Sequence, residues 1–395
     1  MDTTALQPYI NLLPTLLVGL ILTIFLTPIV GWIAKRFGFI DLPKDKRKRT
    51  DKTLAQRIHT IPKLRLGGIA VFITFIGLIL VQGDLNPKII GMLAGLVVLL
   101  VAGAIDDKFE LSARKQMIAQ LIAATIVVLS GVTIAHIDFA GQRFAFDSFR
   151  QIFDFGIFQY EFIFPGAFIT IFWILLIINA INWMCGIDAI GEFMTFIASF
   201  TTMLLAVRAN QYELAMVSGI FASSIMGYIP FNFPPSKIIS GTAGTTGYGY
   251  ILGVLAILSG SKITSAIIVL SLPVIDMIWV VFYRLIKLKD IPFLKRPFVG
   301  GNIHLHHRIM ALGFTQIQTL FIEIALIASI SLIAFYFGGF SNEFILVITI
   351  FVVLLGLVTF ISIKKGRRKQ VEPPKPEAPP TLRKDEPTPE QKYAY

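Results

Sequence analysis

The sequence reads as an all-α polytopic membrane protein of about 11 transmembrane helices, with a small β-like segment on its outer face. Three observations lead there. Apolar residues make up 55% of the 395 positions and charged ones only 15%, more apolar surface than one soluble core of this size could hide. Apolar runs of roughly 18 residues or more recur along most of the chain, each long enough to span a bilayer as helix. None of these runs shows the period-two alternation of barrel strands.

The expected spans are about 9–34, 66–82, 88–105, 115–136, 163–181, 190–207, 213–230, 247–260, 263–283, 317–337 and 343–363. The first has no basic stretch before it and no A-x-A pattern after it, so it reads as a retained helix, not a removed signal peptide. The single cysteine excludes an internal disulfide. The net charge of +11 is unevenly spread. Loops 35–65, 106–114, 231–246 and 284–316 and the tail after 363 hold most of the Lys and Arg, whereas 83–87, 137–162 and the short turns hold few. The positive-inside rule then places the rich set and the C-terminus in the cytoplasm, and the N-terminus outside. That topogenic use accounts for the basic balance. A nucleic-acid-binding surface does not, because no soluble domain is present to carry it.

Residues 1–363 form one transmembrane domain, and 364–395, rich in Pro and charge, a disordered cytoplasmic tail. Residues 42–68 read as a basic loop, drawn to anionic headgroups at about 1 kcal/mol per Lys or Arg. In 137–162 Phe alternates with polar residues, which indicates short strands or an interfacial ribbon on the outer side.

Five polar stretches fall at cytoplasmic helix ends, where ionisable residues default to functional candidates. In "GAIDDKFELSARKQ" (103–116) the adjacent Asp106 and Asp107 repel, so a site holding both supplies a cation or raises one pKa. The plainer reading is a solvated acidic turn with Ser112 as N-cap. In "NAINWMCGIDAIGEF" (179–193) Asn179 and Asn182 share a helical face and Asp188 follows a glycine. They read a polar ligand or merely cap a helix. "FNFPPSKIISGTAGTTGYGY" (231–250) leads through Gly241, Gly244 and Gly247 into a helix, which suits phosphate binding or close packing alike. Asp276, inside an apolar run, needs a partner, and Arg284 lies about two turns on. Lastly, "GGNIHLHHRIM" (300–310) sets His304, His306, His307 and Arg308 in one cluster. Their spacing defies a single helical face and favours phosphate contact over tetrahedral zinc.

The order Asp-Asp, N-x-x-N-x-x-x-G-x-D, Pro-Pro with a Gly-rich stretch, P-x-x-D and H-x-H-H resembles the polyprenyl-phosphate N-acetylhexosamine-1-phosphate transferases. That group includes phospho-N-acetylmuramoyl-pentapeptide transferase, and the branch that starts O-antigen, enterobacterial common antigen or wall teichoic acid is most similar. The resemblance covers roughly residues 30 to 316, with "GAIDDKFELSARKQ" and "HLHHRI" as its specific matches. It implies transfer of a sugar-1-phosphate, such as GlcNAc-1-phosphate, from a UDP-sugar to undecaprenyl phosphate, with release of UMP. It also implies a bacterial plasma membrane, Mg²⁺ as cofactor and an active site facing the cytoplasm. A homodimer is compatible with such a bundle. By the same resemblance Asp106 and Asp107 serve the lipid phosphate, one as base and one near the metal. Asn179, Asn182 and Asp188 position the nucleotide, and His304, His306, His307 and Arg308 hold phosphate oxygens. Asp188 and Thr242 are the implied metal positions.

Two acidic positions of the family are absent. Its usual D-G-x-D-G stands here as Cys185-Gly186-Ile187-Asp188-Ala189, and its G-D-T-G-S as Gly241-Thr242-Ala243-Gly244-Thr245. A threonine hydroxyl can touch Mg²⁺ but brings no charge. Cys185 has no second cysteine to share a soft metal and reads as a packing residue. Two further readings therefore stand beside the active transferase. One is a degenerate relative that binds polyprenyl phosphate or partners an active enzyme. The other, ranked last, is a transporter, which would place its site at the bilayer midplane.

Overall fold

Helices dominate the computed structural model of the protein, which describes residues 7–42, 61–139, 142–154, 159–260, 263–299, 301–337, 349–350, 352–357 and 359–361. The proposed tail, 364–395, and much of the expected last span, 343–363, lie outside these residues, as does most of the basic loop, 43–60.

Helix α1 (Gln7–Arg36) is followed by two short strands, β1 (Ile40–Asp41) and β2 (Lys63–Leu64), then by α2 (Gly67–Gln82), α3 (Pro87–Phe109) and α4 (Ala113–Leu129). Two antiparallel hairpins come next: β3 (His136–Phe139) with β4 (Gln142–Ala145), and β5 (Phe149–Asp154) with β6 (Gln159–Phe164). They realise the alternating Phe and polar pattern of 137–162. Then come α5 (Gly166–Met184), α6 (Ile190–Arg208), α7 (Tyr212–Asn232), α8 (Gly241–Leu258), α9 (Ile263–Val269), α10 (Ser271–Lys287), α11 (Leu305–Met310) and α12 (Gln316–Phe337). Six of these helices, α1, α3, α5, α6, α7 and α12, are long and apolar enough to cross a membrane. Apolar side chains such as Phe25, Phe172 and Phe321 stay exposed on their outer faces, as a lipid-facing surface requires.

Two departures from the expected spans have local causes. The run 263–283 is split at Leu270 into α9 and α10. Pro273 then falls in the first turn of α10, where its missing N–H costs no helical bond. The Gly-rich stretch is helical from Gly241 and not a loop up to 247.

Small residues let α8 lie against α2, α3 and α5. A side chain at Gly68 would run into Gly244, one at Gly103 into Ala243, and one at Gly249 into Ile178 of α5. Backbones thus approach as closely as in other small-residue membrane contacts. Tyr248, Phe72 and Phe221 fill the space beside them, with ring centroids 5.5 Å apart for Phe72–Tyr248 and 5.9 Å for Phe72–Phe221. This central helix sets the position of everything at its N-terminal end.

Gly103→Ala should therefore lower the unfolding midpoint in detergent, at a cost of about 1–3 kcal/mol for overpacking. Gly77→Ala, where an added carbon meets nothing within 4 Å, should leave the midpoint unchanged or raise it.

Candidate active site

Four carboxylates collect where α3 ends and α8 begins, and each is tied to a neighbour. Asp106 ends α3 by accepting from the Leu111 N–H at 2.7 Å and from Gln116 Nε2 at 2.9 Å. Ser112 holds the N-cap position of α4, but its side chain makes no capping bond; Asp106 does the local tying instead. The other Asp106 oxygen accepts from Thr242 Oγ1 at 2.6 Å.

Asp107 occupies the N-terminus of α8. Its carboxylate accepts from the N–H of Thr242 at 2.8 Å and of Ala243 at 3.4 Å. The positive end of a helix favours an anion there. So the phosphate-like binding position expected of the Gly-rich stretch is filled by the chain's own carboxylate. Gly241 makes this possible: it has φ +68, and a side chain on it would overlap the Asp107 carboxylate.

The counter-charges come from β2. Ile40 pairs with Leu64 and Asp41 with Lys63 in the β1–β2 ladder, and Leu64 also bridges Ile238 in the loop before α8. The Ile239 N–H donates to Leu64 O at 2.8 Å and the Gly67 N–H to Ile239 O at 3.0 Å. Alternate residues of a strand share one face, and here Lys63 and Arg65 both turn toward carboxylates. Arg65 reaches Asp41 at 2.7 Å and Asp107 at 3.3 Å. Lys63 Nζ lies 2.7 Å from each oxygen of Asp188. The Ser236 N–H adds a third bond to Asp188, at 3.2 Å. Lys63 is buried and Arg65 nearly so, and both are spent on carboxylates of the chain itself.

The α5–α6 turn joins this group to the histidines. Asn182 accepts from Thr245 Oγ1 at 2.5 Å, while Asn179 is one turn deeper, donating to Gln120 at 2.9 Å. Gly186 is exposed and lies against His306; a side chain there would strike Nε2. His306 is fully buried, and neither ring nitrogen has a hydrogen-bond partner. It stacks on His304 at 5.9 Å and leans on His307 at 4.3 Å. Asp276 braces the turn from below. It accepts from the Leu305 N–H at 2.9 Å, meets His304 Nδ1 at 2.8 Å and pairs with Arg308. Arg308 in turn lies 4.0 Å over the Trp279 ring. The ion-pair partner of Asp276 is thus Arg308 and not Arg284, which donates to Pro297 O at 2.6 Å and covers Trp183.

Sequence reasoning missed Lys63, Arg65 and Glu192. The K-x-R alternation in "IPKLRLGG" was the available signal for the first two. Glu192 is buried in the first turn of α6 and bonded to Ser240, whose hydroxyl also lies 3.3 Å from Tyr248. It holds the loop before α8 from behind. Burial, with Glu192 nearby, pushes the Cys185 thiol well up, and its Sγ donates to Ile181 O at 3.1 Å. A protonated thiol is neither nucleophile nor metal ligand.

Residues 89–260 match the family model described as glycosyl transferase family 4. Over that stretch the chain is similar to glycosyl transferase family 4. Among curated relatives, a probable undecaprenyl-phosphate N-acetylglucosaminyl 1-phosphate transferase of Bacillus subtilis is 28% identical over 315 residues, 78% of this chain and 79% of the relative. A decaprenyl-phosphate N-acetylglucosaminephosphotransferase of Mycobacterium tuberculosis is 24% identical, covering 76% of each chain. An undecaprenyl-phosphate alpha-N-acetylglucosaminyl 1-phosphate transferase of Escherichia coli K12 is 25% identical, over 80% of this chain and 82% of the relative. That resemblance is to enzymes, glycosyl-1-phosphate transferases, and the six long apolar helices mark a membrane protein.

The Mg²⁺ implied by the resemblance does not fit the donors that this chain presents. Mg²⁺ takes oxygens in near-octahedral array at about 2.0–2.1 Å. Both Asp188 oxygens are engaged by an ammonium, and Thr242 offers a neutral hydroxyl already donated to Asp106. Among the described residues no group of three or more His, Cys, Asp or Glu is placed to hold a metal ion.

Burial, then His307, His304 and Arg308 around it, holds the His306 pKa well below the usual imidazole value of 6.5. The unfolded chain takes up a proton that the folded ring refuses. Stability attributable to this ring is therefore intact above about pH 6.5 and falls as pH drops below it. Between pH 8 and pH 5 the wild-type unfolding midpoint should fall further than that of His306→Leu, which lacks the ring. Parallel falls would contradict a ring held neutral.

Proposed function

We propose that the chain transfers an N-acetylhexosamine-1-phosphate, GlcNAc-1-phosphate by the reading of its relatives, from a UDP-sugar to undecaprenyl phosphate. An oxygen of the lipid phosphate attacks the sugar-linked phosphorus of the donor. The bond to the bridging diphosphate oxygen breaks, and UMP leaves. The observation that carries this reading is the convergence, at one end of the bundle, of Asp106 and Asp107, the Asn182–Thr245 pair, Asp188 and the histidine turn. Transfer of a phosphoryl group asks mainly for positioning and for charge held in place, and such a cluster offers both.

In this reading Asp106 and Asp107 border the lipid phosphate, and Asn182 and Asp188 the nucleotide. His304, His306 and His307 meet the phosphate oxygens. The orphaned nitrogens of His306 beside exposed Gly186 support that role. Asn179 and Arg308 act as positioning residues, because their side chains are spent on Gln120 and Asp276. The same reading puts this end of the bundle at the cytoplasmic face of a bacterial plasma membrane. There the uneven spread of Lys and Arg supports the orientation, and both a lipid headgroup and a soluble nucleotide can arrive. No step is routed through a metal.

Purified protein in detergent, given undecaprenyl phosphate and UDP-N-acetylglucosamine, should release UMP and form the lipid-linked sugar diphosphate. Asp107→Asn should cut the rate by about a hundredfold or more. Binding of polyprenyl phosphate without any UMP release would favour the degenerate, non-catalytic relative instead.

A further inference from the structure

Lys63 stands in a place that the reading above does not use. Its ammonium lies 2.7 Å from each Asp188 oxygen, so it is chelated by both. The pair is nearly closed to solvent, with 7% of the lysine and 11% of the aspartate side chain exposed. Nor is Lys63 on a loose arm: its strand is pinned to β1 and to the loop before α8. Just after the strand, Arg65 sits between Asp41 and Asp107, its N–H donating to Phe39 O at 2.9 Å. Position 242, at the other edge, carries a hydroxyl bonded to Asp106. So Asp188 and Asp107 already have fixed monovalent partners and Asp106 has neutral ones, and on Asp188 both oxygens are engaged by one ammonium.

We propose that Lys63 is a resident counter-cation that takes, on Asp188, the place a divalent ion would take. The chain then supplies fixed positive charge at this position from one of its own side chains. Lys63 is a positioning residue that orients the Asp188 carboxylate, and it competes with Mg²⁺ or Mn²⁺ for both oxygens. This inference rests on the reading of Asp188 as part of the active site. It accounts for a site that pairs three aspartates with a lysine, an arginine and a threonine.

Removing the ammonium should free both oxygens and open a divalent site. The full chain in detergent is titrated with Mn²⁺ alone, and free Mn²⁺ is read by electron paramagnetic resonance. Lys63→Met should bind Mn²⁺ at least about tenfold more tightly than wild type, the direction expected when a like charge is removed beside a cation site. Lys63→Arg should bind as weakly as wild type, and adding Asp188→Asn to Lys63→Met should abolish the gain. Should Lys63→Met fail to accumulate, Lys63→Gln, which keeps a donor for Asp188, carries the same expectation. Equal Mn²⁺ affinity in wild type and the neutral variant, or a gain that survives Asp188→Asn, would overturn the proposal. The readout needs no substrate. Absent UMP release with a Lys63-dependent gain would sink the transferase reading alone, and UMP release without that gain would sink this inference alone.

Discussion

Carboxylates buried at the ends of apolar helices must be neutralised or satisfied, and the rest of this structure follows from how that is done. Leaving one unpaired costs several kcal/mol. Here the answer is a two-residue strand. Lys63 in β2 and Arg65 just after it reach Asp188, Asp41 and Asp107. Through these pairs the C-terminal end of α3, the α5–α6 turn and the first loop become one unit, with α8 at its centre.

The second constraint is the close approach of α8. Its glycines admit α2, α3 and the Ile178 backbone of α5 against it, and the same stretch delivers the N–H groups of Thr242 and Ala243 to Asp107. A Gly-rich sequence thus serves helix packing and anion capture together. The anion it captures is internal. Asn182, Thr245 and His307 stay half-buried and Gly186 exposed at this end of the bundle.

Much of this was legible in the sequence. Apolar run lengths located the helices through α7, and the alternation in 137–162 marked the two hairpins. Asp106, Asp107 and Asn182 all reach the first turns of α8, and Gly186, two residues before Asp188, lies against His306. Partners were harder to read, because they depend on which helices touch. Asp276 is nearer in sequence to Arg284 yet pairs with Arg308, since the turn after α10 folds back over it. Lys63 and Arg65 looked like one more part of a basic loop, because a two-residue strand has too short a period to stand out among charges. Asn179 shares a helical face with Asn182 but reaches α4 instead of the turn.

The central claim is that Arg65, the residue after β2, couples the end of α3 to the first loop through a nearly buried ion pair. A double-mutant cycle on Arg65 and Asp107 measures it most directly, using Arg65→Met, Asp107→Asn and both together, read as unfolding free energy in detergent. The account predicts that each single change is strongly destabilising, by about 3–5 kcal/mol, and that the double costs much less than their sum. Effects that simply add would show that the two side chains do not depend on each other, and would contradict it.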